Sequence, residues 1–344
     1  MKRVAIMKTF IKKIMPDGLK AALKVARDRC LLSVAMHQQS ERFFRTYARE
    51  SNRRKACLET KVIFFSHQIE KGLSHKDFRY GFGQQALTNL SFALKNLRAL
   101  DSDAASHNDV YRMALGALHE YIQRHEDIGY DLTSVCKLFE STIWREAEQF
   151  KGTQGGSYTV NASEKNGNGV KSFAQLAEGR HAVREFAPDP VTVEEIRRAV
   201  DLARTAPSVC NRQPARVHIT CNQGIIERAL HIQGGFRGYP APPALILVTA
   251  DNQAFVSSVE RNEGFVDGGL FSMQLLMSLE SVGLAACPLN TMMNTRNESM
   301  TRELMQIPDN EFLVMYIAVG HFPETLNLCR SSRLPVEMIM SITE

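Results

Sequence analysis

Arg180 and Arg184 stand four positions apart at the head of a stretch, Arg180 to Gln213, whose far end is a polar loop carrying Ser208, Asn211 and Gln213. Guanidinium groups grip phosphate through paired hydrogen bonds. Asn and Gln amides suit a sugar-alcohol chain or the edge of a heteroaromatic ring. A late basic stretch, Arg330-Ser331-Ser332-Arg333, offers two more guanidiniums. Other chemistries lack their residues. There is no GxGxxG after a strand and no GxxxxGK[ST], so neither common phosphate loop is present. There is no HExxH, no metal-spaced His/Asp/Glu cluster and no GxSxG elbow. What remains is an anion site built from side chains.

These residues need a frame. Phe173–Ala177 reads as a short helix ending at Gly179, and Val193–Arg204 as a helix opened by a Thr192/Glu195 capping box, with Ile196, Val200 and Ala203 on its buried side. Arg216–Cys221, Ala244–Ala250, Gly283–Asn290 and Phe312–Gly320 read as strands, the second apolar throughout and therefore central. Phe265–Val282 reads as a long helix between them. The expected fold is α+β, three layers with a central mixed sheet flanked by helices.

Ahead of this domain, residues 40–150 repeat apolar positions at helical spacing: Leu87, Leu90, Leu94, Leu97, then Tyr111, Leu115, Leu118, Ile122, then Val135, Phe139, Ile143, Phe150. The pattern predicts an all-helical extension. Within it His67, Glu70 and Lys71 share one helix face. They are either a salt-bridged helix end with Gly72 as its C′ residue or a polar group reaching the anion site. Residues 151–171, with five glycines and no apolar period, read as a linker to a domain at 172–344.

Residues 1–36 carry nine Lys/Arg against two Asp, so the net charge of +5 resides there and the remainder is near −2. They read as a basic amphipathic arm broken at Pro16-Asp17-Gly18, suited to a membrane surface or a partner. The folded body has no basic stripe, which argues against nucleic acid. Seven scattered cysteines without a CxxC pair fit reduced thiols. With no secretory signal and no apolar run of ~18 residues, a cytoplasmic protein is expected, peripheral to the inner face of the membrane if the arm binds it.

Side-chain phosphate grips with an amide-bearing loop fit a mononucleotide flavin better than a dinucleotide. The motifs RHAVREF, APSVCNRQP, VGLAACPLN and VGHF with RSSRLPVE resemble, in order and spacing, those of the FMN-dependent nitroreductase family over residues 173–344. The resemblance implies a homodimer that uses NADH or NADPH to reduce FMN and passes electrons to a small-molecule acceptor. It implies FMN phosphate contacts from Arg180 and Arg333, with His181 and Ala182 beside them, and Arg184 at the pyrimidine end. It implies that Pro207, Ser208, Asn211 and Gln213 reach the flavin of the other subunit. Pro288 and Leu289 would pack on the ring, and backbone amides of Asn290 and Thr291 would approach its N5. Two positions depart: Ala182 stands where the family usually has serine, removing a hydroxyl contact of roughly 1 kcal/mol, and Ala215 where an aromatic is common. Finally, HQIEKGLS followed by RYGFG resembles the helical extension of nitroreductase-like proteins associated with exopolysaccharide biosynthesis. That implies polysaccharide-biosynthesis enzymes as partners, either of an active oxidoreductase or of a flavin-fold accessory protein.

Overall fold

Alternation along Ala244–Asp251 decides the architecture. Ile246, Val248 and Ala250 face one way, Leu245 and Leu247 the other, and all five are buried. Successive strand residues point to opposite faces, so a strand apolar on both must be covered on both. The computed structural model describes residues 15–343. Its helices are α1 (Asp17–Thr46), α2 (Lys55–Leu73), α3 (Gln84–Leu100), α4 (Asp109–Glu126), α5 (Ser141–Glu148), α6 (Phe173–Gly179), α7 (Val193–Ala203), α8 (Gln223–Gln233), α9 (Glu263–Ser281) and α10 (Thr295–Met305), with shorter turns between. Its strands are β1 (Ser157–Asn161), β2 (Ala215–Thr220), β3 (Ala244–Asp251), β4 (Leu284–Asn290), β5 (Glu311–His321) and β6 (Thr325–Cys329).

The main sheet has the order β2-β3-β5-β4, and each of its ladders is antiparallel. The mixed character expected of it is confined to one parallel bridge, Ala182 with Ala286. On one face, Ile196, Ala199 and Ala203 of α7 and Leu275 and Leu279 of α9 pack on β3, β4 and β5. On the other, Ile226, Ala229 and Leu230 of α8 meet Leu245, Leu247 and Tyr316. Three layers result.

The helical region forms its own core. Leu58, Val62, Ile69 and Leu73 of α2 interlock with Leu87, Leu90, Leu94 and Leu97 of α3 and with Tyr111, Leu115, Leu118 and Tyr121 of α4. Full burial of each such leucine is worth ~1.5–3 kcal/mol.

The segment 151–171 is not a structureless linker. It contains β1, paired with β6 from Ser157↔Cys329 to Asn161↔Thr325. Its glycines serve close approach. A Cβ on Gly116 of α4 would meet the Gln154 carbonyl oxygen at 1.7 Å, and Gly155, at φ +73°, would meet that of Met113 at 2.0 Å. Arg330 then clasps the turn, its backbone N–H donating to Gly156 O at 2.8 Å and its Nε to Gly155 O at 3.0 Å.

Two compact units emerge among the described residues: 15–47 with Phe255–Glu263, and Ala48–Ala254 with 264–343. In the first, α1 runs unbroken past the boundary expected near residue 36, buries no residue, and accepts bonds from Arg261 and Asn262 through Gln39 Oε1. Residues 1–14 of the expected arm lie outside the described residues. No helix among the described residues is long and apolar enough to cross a membrane.

Candidate functional site

The helix α6 ends because Arg180 turns extended, its backbone N–H closing on Leu176 O. The chain then runs beside β4, where Val183 N–H donates to Ala286 O at 3.0 Å. Two small residues, Ala182 and Ala286, permit that approach. Arg180 and Arg184 are thereby delivered to the open end of the sheet.

Charge is concentrated here. Burial lowers the Arg180 pKa; Glu280 opposes the shift and the Arg333 cation adds to it. Burial likewise lowers that of Lys71, and Arg184 adds to the effect. None of Arg180, Arg184, Lys71 and Arg333 forms an ion pair among the described residues. Lys71 Nζ donates to Gly235 O at 2.8 Å, and Arg333, exposed, to Ser331 O at 2.8 Å. Glu280, the carboxylate whose charge acts on Arg180, is committed to Lys165 at 2.9 Å. The cluster is therefore a ready anion receptor.

Arg184 is held from three sides. One Nη donates to Cys329 Sγ at 3.3 Å and Ala182 O at 3.4 Å, and the other approaches His67 Nε2 at 3.4 Å. His67 Nδ1 lies 3.1 Å from Glu70 Oε2. Part of each reading open for that helix face is observed: His67 pairs with Glu70 along the helix, and His67 also reaches Arg184. Gly72 lies inside α2, where a Cβ would strike the Phe82 ring at 1.8 Å, so close packing explains this glycine. Tyr239 completes the wall, its hydroxyl donating to Lys71 O at 2.8 Å and its ring stacked on His75 at 3.8 Å.

His181 is turned inward. Its Nδ1 reaches Gly179 O at 2.8 Å and its Nε2 the Tyr158 hydroxyl at 2.6 Å. Burial, reinforced by Lys165, Arg180 and Arg333, lowers its pKa. With both ring nitrogens engaged, the neutral ring fixes the turn. Pro288 and Leu289 lie on β4 opposite Ile317 and Tyr316, with Leu289 packed in the group that includes Ala182 and Tyr239. The Asn290 carbonyl accepts from Gln233, and the Thr291 hydroxyl donates to Leu313 O at 3.1 Å.

The Ser208–Gln213 loop has different partners. Cys210, Asn211 and Gln213 all have positive φ, at 49°, 56° and 50°. Val209 N–H donates to both oxygens of buried Asp267 at 3.1 and 3.2 Å, and Gln213 N–H to Ser208 Oγ at 2.9 Å. Gln213 Nε2 returns to Asn211 at 3.2 Å. Pro207, Ser208, Gln213 and Ala215 line a cleft of about 240 Å³ with Asp267 and Phe271. This loop bonds to itself, to α9 and to Arg216 of β2, whose Nη1 donates to Gln213 O at 3.0 Å.

A three-layer α+β frame with a cation cluster at the β4 edge defines the class. The Nitroreductase family model matches residues 177–234 and 232–321. The C-terminal half thus carries a nitroreductase family domain, while α2 and Arg333 lie outside the match. Similar proteins include the 4-nitrobenzoate reductase of Pseudomonas putida, 23% identical over 223 residues that cover 50% of this chain and 94% of that one. They also include the FMN reductase [NAD(P)H] of Bacillus subtilis (strain 168), 22% identical over 173 residues, 46% of this chain and 68% of that one. Among solved structures, a nitroreductase family protein from Clostridium difficile 630 is 22% identical, with a TM-score of 0.40, and covers 50% of this chain and 98% of its own.

Proposed function

We propose that the protein is an FMN-dependent oxidoreductase that takes reducing equivalents from NADH or NADPH and delivers them to a small-molecule acceptor. The observation that carries this reading is the cluster of Arg180, Arg184, Lys71 and Arg333, which form no ion pair among the described residues while burial presses against two of them. A phosphate, and the negative charge a flavin ring gains on reduction, would relieve that strain, so the residues present fit the group. The names of the similar proteins, a 4-nitrobenzoate reductase and an FMN reductase [NAD(P)H], agree with it.

When bound, the flavin supplies the redox chemistry and the protein sets its potential. Arg180 and Arg333 would hold its phosphate. Arg184 would stand at the pyrimidine end, where a fixed cation favours added negative charge. Pro288 and Leu289 would pack on the ring, with the backbone amides of Asn290 and Thr291 at its edge. Pro207, Ser208, Asn211 and Gln213 would complete the site of a second copy in a homodimer. Purified protein should be yellow and should bleach anaerobically with NADH or NADPH. A colourless protein that refuses added FMN would overturn the reading.

A second reading, a flavin-fold accessory of a polysaccharide-biosynthesis assembly, draws on the HQIEKGLS and RYGFG stretches, of which His67 and Lys71 reach the arginine cluster. It predicts slow NAD(P)H oxidation by the isolated chain and recovery with such partner enzymes. Fast unassisted turnover, unchanged on deletion of residues 1–36, would exclude it.

A further inference from the structure

We infer that His67, oriented by Glu70, is a positioning residue for Arg184, so that helix α2 of the helical region forms part of the cofactor site. The inference rests on the FMN reading and deepens it.

The hydrogen-bond logic has one consistent assignment. Arg184 can only donate, so His67 Nε2, at 3.4 Å, must accept. A neutral imidazole that accepts at Nε2 carries its proton on Nδ1. That proton faces Glu70 Oε2 at 3.1 Å. Glu70 is 4% exposed and sits one turn along the same helix. A buried carboxylate therefore selects the tautomer that receives the guanidinium. Ser331 Oγ, 3.5 Å from His67 Nδ1, is the other polar neighbour on that side.

The remaining constraints on Arg184 come from other elements: Ala182 O in its own turn and Cys329 Sγ at the end of β6. Burial pushes the Cys329 thiol pKa up, against the pull of Arg184, so a neutral thiol presents its sulfur to the guanidinium. Each contact is long and individually weak. Their number, from three separate parts of the chain, restricts the guanidinium plane. His67, Glu70 and Cys329 offer ligand atoms within 4.8 Å of one another, a grouping that suits a metal ion. Here the Arg184 guanidinium contacts two of the three, and is itself the cation they share. Lys71, one residue beyond Glu70, brings a second positive charge to the same wall.

If α2 only buttressed the fold, changing His67 or Glu70 would alter stability and leave the flavin's properties alone. A positioning role changes affinity and potential together. His67→Phe removes the acceptor. Glu70→Gln removes the tautomer selection, because an amide can donate to Nδ1 and leave Nε2 protonated against Arg184. His67→Gln retains an acceptor oxygen and serves as the conservative rescue.

The full-length chain and these three variants are titrated with FMN by fluorescence quenching. Reductive titration then gives each midpoint potential, and thermal unfolding of the apoproteins is followed in parallel. His67→Phe and Glu70→Gln should weaken FMN binding about tenfold, as expected for one hydrogen bond to a charged group, and lower the potential. His67→Gln should restore most of both. If His67→Phe does not fold, Glu70→Gln against His67→Gln carries the comparison. Wild-type affinity and potential in Glu70→Gln and in whichever His67 variants fold would overturn the inference alone. Failure of wild type to take FMN would overturn it together with the proposed function.

Discussion

The two ends of Arg180–Gln213 solve opposite problems. At the arginine end, cations crowd together and form no ion pair among the described residues. At the loop end, every polar group named above is satisfied locally, and the cost is three residues held in left-handed backbone, a region most side chains avoid. One end is electrostatically incomplete and conformationally easy; the other is electrostatically complete and conformationally strained. Charge loss should therefore show in binding at one end, and in stability at the other.

Arg180→Ala makes the sharpest break. Loss of a bidentate phosphate grip should weaken FMN about 100-fold, at 1.5–3 kcal/mol for charged hydrogen bonds, with little effect on apoprotein unfolding; calorimetric titration beside a denaturant curve measures both. Asp267→Ala should do the reverse. It strips the Val209 anchor from the loop, and the unfolding free energy should fall by about 2 kcal/mol while FMN affinity within one subunit is retained.

Acid sharpens the contrast at the arginine end. The folded His181 pKa lies below its ordinary value of about 6.5, because of burial first and neighbouring cations second. Between the two values the unfolded chain binds a proton that the folded chain does not. The His181 contribution is thus whole above about pH 6.5 and is lost as the pH falls through the folded value. Melting temperatures followed from pH 7.5 downward should decline, and less steeply in His181→Asn. The smallest effect belongs to the loop. Cys210→Gly removes a side chain from φ 49°, and should raise stability by about 0.5–1 kcal/mol, visible as a shift in the denaturant midpoint.

Periodic elements were legible in the sequence for a physical reason. Leu87 to Leu97 and the run Ala244–Ala250 announce a helix stripe and a two-faced strand, because burial imposes the spacing directly. Helices α8 and α10 escaped notice, since α10 buries only Thr301 and α8 only three residues. Strands β1 and β6 escaped because each is only five residues long, too short for a period to count. The arginines were readable as residue types, but their lack of counter-ions is a property of tertiary placement. His67 and Lys71 stood out on a helix face, while their reach to Arg184 and Gly235 depended on how α2 packs. The inward turn of His181 rests on Tyr158, a residue within the segment read as linker, so its sequence neighbours held no sign of it.

The β1–β6 ribbon has a consequence for how the chain reaches its native state. Ser157 pairs with Cys329, across nearly the whole nitroreductase family domain. Contacts so distant in sequence close late, after their loop entropy has been met. During synthesis the helical core of α2 to α5 can assemble as soon as it emerges, yet β1 must wait, unpaired, until the last strand is made. Arg184 acquires its Cys329 contact at that same step, so the proposed cofactor site closes only once β6 is in place.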